Sequence, residues 1–371
     1  MINVLHVTSS LKVGGAETVL CDLIELSDPQ RIQATVIYFH DGPLAARLRT
    51  ANVTLYHVRG LLCRYDPVFF VRLFLLIRKL QPDCIHALLW SANISCRIIA
   101  RMLRIPLVSA QHNHASLEHG FRAFLDRVTL PLATKVVAVS PTVARSLTQR
   151  DAALHQRITI IPNGVQIQQL RAEASISPLQ RNTLGLTHEH LIIGAVGRLH
   201  PVKNFPYLLE SFALIAQRNP HVRLVIIGGG PEEHALRALA EQLGMYGLVV
   251  FVGNAPAMQY YPLFDCFVLA SHQEGMSIAL LEAMSFGTSC IVTHDTNLHD
   301  VITHGHNGLL VQPHNPHALA TTLEQVLQQP DLRTKLGAAA RQTIKRHFDV
   351  VQMATKYSDL FSEISNKNTV L

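Results

Sequence analysis

Residues 271–286 read SHQEGMSIALLEAMSF and directly follow the apolar run CFVLA at 266–270. The apolar run is typical of a buried parallel strand, and the residues after it predict a tight turn and an apolar helix that Gly287 can close. A helix that begins just after a strand offers free backbone N–H groups to an anion. The carboxylates of Glu274 and Glu282 lie in the same segment and could hold hydroxyls. A ligand that carries both phosphate and hydroxyl groups, such as a nucleotide sugar, fits this combination.

The alternation of apolar strands and helices continues along the chain. It predicts an α/β protein with two doubly wound parallel sheets, each covered by helices on both faces. A chain of 371 residues is long enough for two domains. The predicted strands cover 3–8, 33–39, 53–58, 84–88, 106–112, 135–140 and 158–164 in the first sheet and 191–198, 222–229, 249–253, 266–271, 289–293 and 308–311 in the second.

The domain boundary is predicted from a polar stretch that separates the two sets of strands and contains Pro178 but no strand. The first domain is predicted to cover 1–168 and the second 169–349. The last helix, at about 350–371, is expected to pack back on the first domain. If the carboxyl edges of the two sheets face each other, they form a cleft, and every candidate motif follows a strand.

Composition excludes several classes of protein. The six cysteines have no CxxC spacing and lie mostly in apolar runs, so they indicate reduced, buried thiols rather than disulfides or a zinc site. The first ten residues lack the charged region and the long apolar core of a signal peptide. We therefore expect a cytoplasmic protein.

Charge is distributed unevenly along the chain. Residues 1–165 hold 18 Lys and Arg against 10 Asp and Glu, a net charge of +8, whereas residues 166–371 hold 14 against 16, a net charge of −2. A basic first half favours an anionic partner such as a membrane surface, although an ordinary solvated surface has the same composition. No basic–aromatic motif indicates nucleic acid binding.

The segment 66–80, DPVFFVRLFLLIRKL, is the most membrane-like part of the sequence. It is shorter than the roughly 20 apolar residues that a membrane span needs, and Arg72, Arg78 and Lys79 interrupt it. It predicts a half-buried helix. The basic, apolar face of this helix could contact a membrane surface, and an ordinary core helix is the alternative.

Two cations follow the first strand of the second domain. Arg198 and Lys203 lie five residues apart in GRLHPVKNF at 197–205, across a turn that contains a proline. A guanidinium and an ammonium at this spacing can converge on one diphosphate, and two unrelated surface cations are the alternative. Gly228 and Gly229 follow the next strand, where they leave room for a ring or form a plain turn.

The first domain offers glycines and histidines at predicted strand ends. Gly14 and Gly15 could let the backbone approach a phosphate, but they do not form GxGxxG and could be a tight turn only. His112 could hydrogen-bond a sugar hydroxyl or a developing charge, whereas for His86 a plain sheet-edge position is favoured. A metal site at 112–119 would have only the three histidines His112, His114 and His119, so polar loop residues at the sheet edge are the favoured interpretation.

Six motifs occur in the order that is typical of the family 4 retaining glycosyltransferases, and the resemblance to this family extends over nearly the whole chain. They are GGAE at 14–17, PNGV at 162–165, GRLHPVKNF at 197–205, GGGP at 228–231, EGMSIALLEAM at 274–284 and NGLLV at 307–311. The resemblance implies the GT-B architecture, in which two Rossmann-like domains face each other across a cleft. The order of the motifs is specific for the family and not for one enzyme.

The resemblance also implies roles for single residues. Arg198 and Lys203 would hold the donor diphosphate, Glu282 would bind the ribose hydroxyls and Glu274 would contact the transferred sugar. His112 would face the sugar, and the backbone N–H groups of 275–277 would lie near the sugar and the phosphates. The remaining residues implied to bind the donor are Gly14, Gly15, Gly228, Gly229, Val252, Gly253, Gly275, Met276 and Ser277. Met276 stands where the family commonly has an aromatic residue, so it departs from the pattern of the sugar pocket.

The activity implied by the resemblance is transfer of a sugar from a nucleotide-diphosphate sugar to a hydroxyl, with retention of configuration. No cofactor and no metal ion are expected, which agrees with the lack of a DxD motif. The acceptor would be a glycan or a lipid-linked glycan in surface-glycan synthesis, such as lipopolysaccharide or capsule, made at the inner face of the cytoplasmic membrane. The alternatives are a nucleotide-sugar epimerase or hydrolase on the same fold, and an inactive donor-binding partner subunit.

Overall fold

The computed structural model describes residues 1–60, 66–113, 120–167, 181–296 and 298–368. The chain divides into two compact units, and each is described here by itself. The first unit comprises Met1–Gly164 together with Val350–Leu371, and the second comprises Val165–Asp349. The boundary predicted between residues 168 and 169 lies outside the described residues.

The first unit is built on a sheet of seven parallel strands. The strands are β1 (Ile2–Thr8), β2 (Ile32–Tyr38), β3 (Thr54–His57), β4 (Cys84–Leu88), β5 (Leu107–Gln111), β6 (Lys135–Ala138) and β7 (Ile158–Ile160). Their order in the sheet is β3-β2-β1-β4-β5-β6-β7. Because the order runs outward in both directions from the β1–β4 pair, the sheet is doubly wound.

Within the described residues, six helices connect these strands. They are α1 (Gly15–Leu26), α2 (Leu44–Thr50), α3 (Pro67–Leu80), α4 (Trp90–Leu103), α5 (Gly120–Thr129) and α6 (Pro141–Arg150). Right-handed crossovers put α1 and α2 on one face of the sheet and α3 to α6 on the other. In agreement, α1 contacts α2, whereas α4 contacts both α3 and α5.

The second unit has a sheet of six parallel strands in the order β10-β9-β8-β11-β12-β13. These strands are β8 (Leu191–Val196), β9 (Val222–Ile227), β10 (Val249–Gly253), β11 (Cys266–Leu269), β12 (Ser289–Thr293) and β13 (Leu309–Val311). The helices are α7 (Phe205–Ala216), α8 (Glu233–Gln242), α9 (Ile278–Phe286), α10 (Pro316–Gln328) and α11 (Pro330–His347). The α/β fold with two doubly wound parallel sheets is thus confirmed.

Each predicted strand is present. Most of the strands end one or more residues before the end that the sequence predicted. His112, Arg198 and Gly228, for example, follow the last paired residue of β5, β8 and β9. These residues leave the ladder at the carboxyl edge of the sheet, where the chain turns towards the next helix. The candidate residues therefore stand at the edge where parallel α/β sheets bind ligands.

Helix α3 has one buried apolar face and one exposed apolar face. Phe69, Leu73 and Ile77 are fully buried, whereas Val71 and Leu75 are more than half exposed. The Asp66 side chain caps the helix by accepting a hydrogen bond from the backbone N–H of Phe69 at 2.8 Å. The half-buried helix predicted at this position is thus present. Among the described residues, no helix combines the length and apolarity that crossing a bilayer requires.

The last helix, α12 (Val350–Asn368), packs against α1, β1 and β4 of the first unit. It covers two buried histidines on adjacent strands, His6 of β1 and His86 of β4, whose Nδ1 atoms lie 3.0 Å apart. The rings of Tyr357 and Phe361 lie 5.1 and 5.5 Å from the ring of His86. Burial lowers the pKa of His6 to about 3. Burial also holds the pKa of His86 well below its usual value, and the nearby His6 and His112 lower it further.

These neutral histidines predict that the protein loses stability in mild acid. An unfolded histidine binds a proton below pH 6.5, whereas His6 and His112 in the fold do so only near pH 3 and pH 4. Their contribution to stability is therefore complete above pH 6.5 and is lost as the pH falls. Between pH 6 and 5, each such histidine should steepen the decline in unfolding free energy by about 1.4 kcal/mol per pH unit. Urea unfolding across this range measures the slope.

The matched variants for this prediction are His6→Asn and His155→Asn. His155 is exposed and is the control for replacing a histidine outside this buried cluster. In His6→Asn, one proton fewer is taken up on unfolding, so the unfolding free energy should fall less steeply with decreasing pH, by about 1.4 kcal/mol per pH unit. Equal slopes in wild type and His6→Asn would contradict the assignment, whatever the change in absolute stability.

Candidate active site

An ion pair links the two parts of the second unit that sequence analysis singled out. Lys203 Nζ lies 2.6 Å from Glu274 Oε1, and the two side chains are 20% and 11% exposed. Ser271 Oγ donates to the same oxygen at 2.7 Å. No described residue donates to the other oxygen of this carboxylate. The structure thus joins Lys203 and Glu274, which are 71 positions apart in the sequence.

Backbone hydrogen bonds hold the two turns that carry this pair. Lys203 ends a short 3₁₀ turn, Pro201–Lys203, and Asn204 then takes a left-handed conformation with φ 51° before α7 begins. The N–H of His272 donates to the carbonyl of Val202 at 2.9 Å, which ties the Lys203 turn to the loop after β11. That loop is held in turn by the Thr293 hydroxyl, which donates to the carbonyl of Ser271 at 2.8 Å. The pair therefore rests on a hydrogen-bonded backbone.

The loop after β11 ends at the start of α9. Ser277 is the N-cap of this helix, and its hydroxyl accepts a hydrogen bond from the N–H of Leu280 at 3.4 Å. Gly275, Met276 and Ser277 are all buried. At the other end, Gly287 closes α9 in the left-handed conformation with φ 80°, as the sequence predicts.

Glu282 lies on α9 beside a residue that sequence analysis missed. The hydroxyl of Tyr261 donates to Glu282 Oε2 at 2.7 Å, and the tyrosine side chain is fully buried. Burial and the neighbouring Glu282 carboxylate raise the pKa of Tyr261 well above its usual value, so the hydroxyl remains a donor. Tyr261 therefore fixes the orientation of the carboxylate. It occurs in the run YYPLF at 260–264, where no spacing or motif distinguishes it.

The glycines after β9 have a packing reason in the structure. Gly228 has φ 133°, and a Cβ atom there would clash with the carbonyl oxygen of Gly197. Its N–H donates to the carbonyl of Gly253 at 2.8 Å, and Gly229 accepts from Leu199 at 3.0 Å. These glycines bring the ends of β8, β9 and β10 into close contact. Val252, the remaining candidate here, is half-buried on β10.

Arg198 stands apart from the Lys203–Glu274 pair. Its side chain is exposed, and it has no hydrogen-bond or ion-pair partner within the described part of the chain. Its position directly after β8 and Gly197 leaves the guanidinium available to an added anion. The structure therefore brings Lys203, Glu274 and Ser271 into direct contact and leaves Arg198 unengaged.

The candidates of the first unit lie at the carboxyl edge of its own sheet. Gly14 is the N-cap of α1 with an extended backbone, and the exposed Gly15 begins the helix. His112 follows β5, and neither of its buried ring nitrogens has a partner among residues 1–60, 66–113 and 120–167. Burial lowers the pKa of His112 to about 4, so the ring is neutral at physiological pH. The other histidines of the disfavoured metal site, His114 and His119, lie outside the described residues.

The candidate residues of the second unit are suited to bind a ligand that carries both an anionic group and hydroxyl groups. In the loops after its strands and on α9, the second unit carries an exposed guanidinium, an ammonium paired with a carboxylate, and a second carboxylate held by Tyr261. The ammonium can exchange Glu274 for an incoming phosphate, because both offer anionic oxygens that accept charge-assisted hydrogen bonds. Within the described ranges, no cluster of three or more histidine, cysteine or acidic side chains could hold a metal ion.

The two doubly wound sheets fit the GT-B class of glycosyltransferases, and models of protein families identify the family. A model for glycosyltransferase family 4 matches residues 13–169, and a model for glycosyl transferases group 1 matches residues 177–343. The chain belongs to the family 4 glycosyltransferases.

Individual relatives extend over most of the chain. A UDP-Gal:α-D-GlcNAc-diphosphoundecaprenol α-1,3-galactosyltransferase of Escherichia coli is 26% identical over 98% of this chain and 97% of its own length. A D-inositol 3-phosphate glycosyltransferase of Frankia alni is 29% identical over 70% of this chain and 69% of its own length. The structure of Anabaena HepE in complex with UDP-glucose shares the fold, with a TM-score of 0.86 and 23% identity over 98% of this chain and all of the other.

Proposed function

We propose that this glycosyltransferase moves a sugar from a nucleotide-diphosphate sugar to a hydroxyl of a glycan or lipid-linked acceptor, with retention of anomeric configuration. The observation that carries the proposal is the Lys203–Glu274 pair at the carboxyl edge of the second sheet. Solved structures with the same fold contain UDP and UDP-glucose, which supports a donor of this class. The E. coli relative is named for a diphosphoundecaprenol acceptor, which supports a lipid-linked acceptor. Synthesis at the inner face of the cytoplasmic membrane is part of the same proposal.

The proposed mechanism follows from where charge develops. Breaking the bond between sugar and phosphate leaves an oxocarbenium-like sugar and a more negative diphosphate. Lys203 and Arg198 would bind the diphosphate more strongly as its charge grows, and only such a gain in the transition state accelerates the reaction. The acceptor hydroxyl attacks from the face that the phosphate leaves, and the departing phosphate oxygen takes its proton.

The remaining candidates would bind the donor around this centre. Glu282, held by Tyr261, would accept hydrogen bonds from the ribose hydroxyls. Glu274 would support the sugar, and the backbone of Gly275, Met276 and Ser277 would lie near it. In the first unit, His112 would face the sugar and Gly14 and Gly15 would approach the diphosphate. Gly228, Gly229, Val252 and Gly253 would lie near the nucleoside.

Donor class is tested by a nucleotide-sugar panel read as a shift in melting temperature, since a ligand that binds only the folded protein raises its stability. We expect at least one nucleotide-diphosphate sugar to raise the melting temperature. Glu282→Gln should weaken that donor by about 10- to 100-fold, the loss expected for a hydrogen bond to a charged group. Glu324→Gln is the matched control, because Glu324 pairs with Arg218 away from the site at 3.4 Å. No shift with any member of the panel would contradict the proposal.

Transfer without a metal ion or cofactor is also part of the proposal. The cations Lys203 and Arg198 would take the place of a metal at the diphosphate. Transfer should therefore persist in EDTA, and a complete loss that Mn²⁺ restores would overturn this point. Nucleotide release that requires no acceptor would favour the hydrolase alternative instead.

A further inference from the structure

Helix α5 is amphipathic, but its polar side faces the protein. Asp126 and Thr129 are each 5% exposed, whereas Phe121, Phe124 and Val128 are 72%, 59% and 56% exposed. The three apolar residues follow each other at spacings of three and four, which puts them on one side of a helix. A helix of a globular protein normally buries such a stripe. Helix α5 therefore presents to its surroundings the side that would ordinarily form the core.

Buried ionic contacts hold the helix in this orientation. Arg97 of α4 is fully buried, and its guanidinium donates to Asp126 Oδ1 at 2.7 Å and to the Thr129 hydroxyl at 3.2 Å. Arg150 of α6 donates to Asp126 Oδ2 at 3.1 Å. Turning α5 over would expose this network and leave Arg97 buried without its carboxylate, at a large cost in free energy. These buried contacts keep the polar side of α5 inward, so the apolar stripe stays on the outer side of the helix.

The exposed apolar surface continues onto the neighbouring helices. Helix α4 contacts both α5 and α3 in the same layer. Among the described residues, nine of the fifteen large apolar side chains that are exposed belong to these three helices and the turn after α5. They are Phe70, Val71, Leu75, Ile98, Met102, Phe121, Phe124, Val128 and Leu132. We call the outer surface of α3, α4 and α5 the docking face. Such a concentration marks an interaction surface.

Charge identifies the partner of the docking face. Its exposed charged residues are all basic, namely Arg72, Arg78, Lys79, Arg101, Arg104, Arg122 and Arg127. Within the described parts of α3, α4 and α5, no exposed Asp or Glu is present. Apolar side chains surrounded by arginine and lysine match an anionic bilayer surface. The apolar side chains can insert between the lipids, and the anionic headgroups attract the basic side chains.

We propose that the docking face binds the surface of an anionic lipid bilayer, with Phe121, Phe124 and Val128 inserted at the boundary between headgroups and acyl chains. The choice of a bilayer rests in part on the proposed function, since a lipid-linked acceptor would be presented at such a surface. The orientation of α5 is independent of that function. The basic residues would supply the long-range attraction and the apolar stripe the insertion.

The test is cosedimentation of the full chain with phosphatidylcholine vesicles that contain phosphatidylglycerol, and with phosphatidylcholine vesicles alone. Wild type should bind the anionic vesicles only. Phe124→Ser with Val128→Ser should lower binding about tenfold, since both side chains lose their transfer into the interface. Arg101→Glu with Arg127→Glu should lower it at least about fivefold for each residue, the scale of one basic group near an anionic surface.

Matched controls lie on α12, which packs against α1 on the other face of the sheet. Val351 is 57% exposed and Lys356 is exposed, so Val351→Ser and Lys356→Glu make the same chemical changes away from the docking face. Both controls should bind as wild type does. All substituted residues are exposed, so the melting temperatures should stay close to that of wild type.

Three results would overturn the docking face. They are wild type that does not bind anionic vesicles, controls that lose as much binding as the test variants, and a wild-type dimer that Phe124→Ser with Val128→Ser makes monomeric in light scattering. Donor binding, measured as a melting-temperature shift in the same preparations, separates this inference from the proposed function. Intact donor binding without vesicle binding rejects the docking face alone, whereas vesicle binding without donor binding rejects the proposed function alone.

Discussion

Replacing Lys203 by alanine is expected to lower turnover by about two orders of magnitude or more, the scale of losing one group that stabilises charge in the transition state. The variant removes the ammonium that would bind the departing diphosphate. In this variant the Glu274 carboxylate keeps its hydrogen bond from the hydroxyl of Ser271 and loses its ion pair. Arg198→Ala should reduce turnover on the same scale. The measurement is kcat with the donor that the nucleotide-sugar panel identifies.

Two further variants separate a local charge effect from a general one. Lys335 is an exposed cation on α11 of the same unit, and Lys335→Ala should keep wild-type turnover. Lys203→Arg keeps a positive charge and should retain more activity than Lys203→Ala. Near-normal transfer by both Lys203→Ala and Arg198→Ala would remove the assignment of these cations to the diphosphate.

The largest expected effect on stability comes from Asp126→Ala. The carboxylate lies 2.7 Å from the guanidinium of the fully buried Arg97. Burial lowers the pKa of Arg97 and Asp126 opposes this, so the buried guanidinium depends on this carboxylate to compensate its charge. Removing that partner should lower the unfolding free energy by about 3–5 kcal/mol. Urea unfolding at pH 7 measures the difference.

An exposed ion pair in the same unit provides the control. Arg31 and Asp359 lie 3.1 Å apart, and their side chains are 48% and 63% exposed. Asp359→Ala should change the unfolding free energy by less than about 1 kcal/mol, because water solvates the remaining charge. Equal losses for Asp126→Ala and Asp359→Ala would show that Arg97 does not need its buried partner. Helix α5 would then lack the constraint that holds its apolar stripe outward.

Part of the candidate site could be predicted because its residues lie in local patterns. Lys203 and Glu274 each lie in the loop after a recognisable strand, and the strand pattern already puts such loops at the carboxyl edge of a parallel sheet. Glu282 lies in the helix that follows the second of these loops. Tyr261 could not be predicted as a partner of Glu282, because their contact depends on how the turn before β11 folds back against α9. For the glycines after β9, the sequence allowed two interpretations, namely room for a ligand ring or a plain turn. The structure adds the clash of a Gly228 Cβ atom with Gly197 as a physical reason for one of them.

The sequence alone determined the number of sheets, the positions of their strands and the ends of helices such as α9, because these depend on runs of neighbouring residues. Tertiary structure alone decided that Lys203 and Ser271 contact the same oxygen of Glu274. In the sequence, Glu274 is only one of two acids near β11, whereas in the fold it is the partner of an ammonium group. Tertiary structure also decided the orientation of α5. The apolar spacing of that helix favours a buried stripe, whereas the hydrogen bonds from the buried Arg97 to Asp126 and Thr129 hold the opposite side of the helix inward.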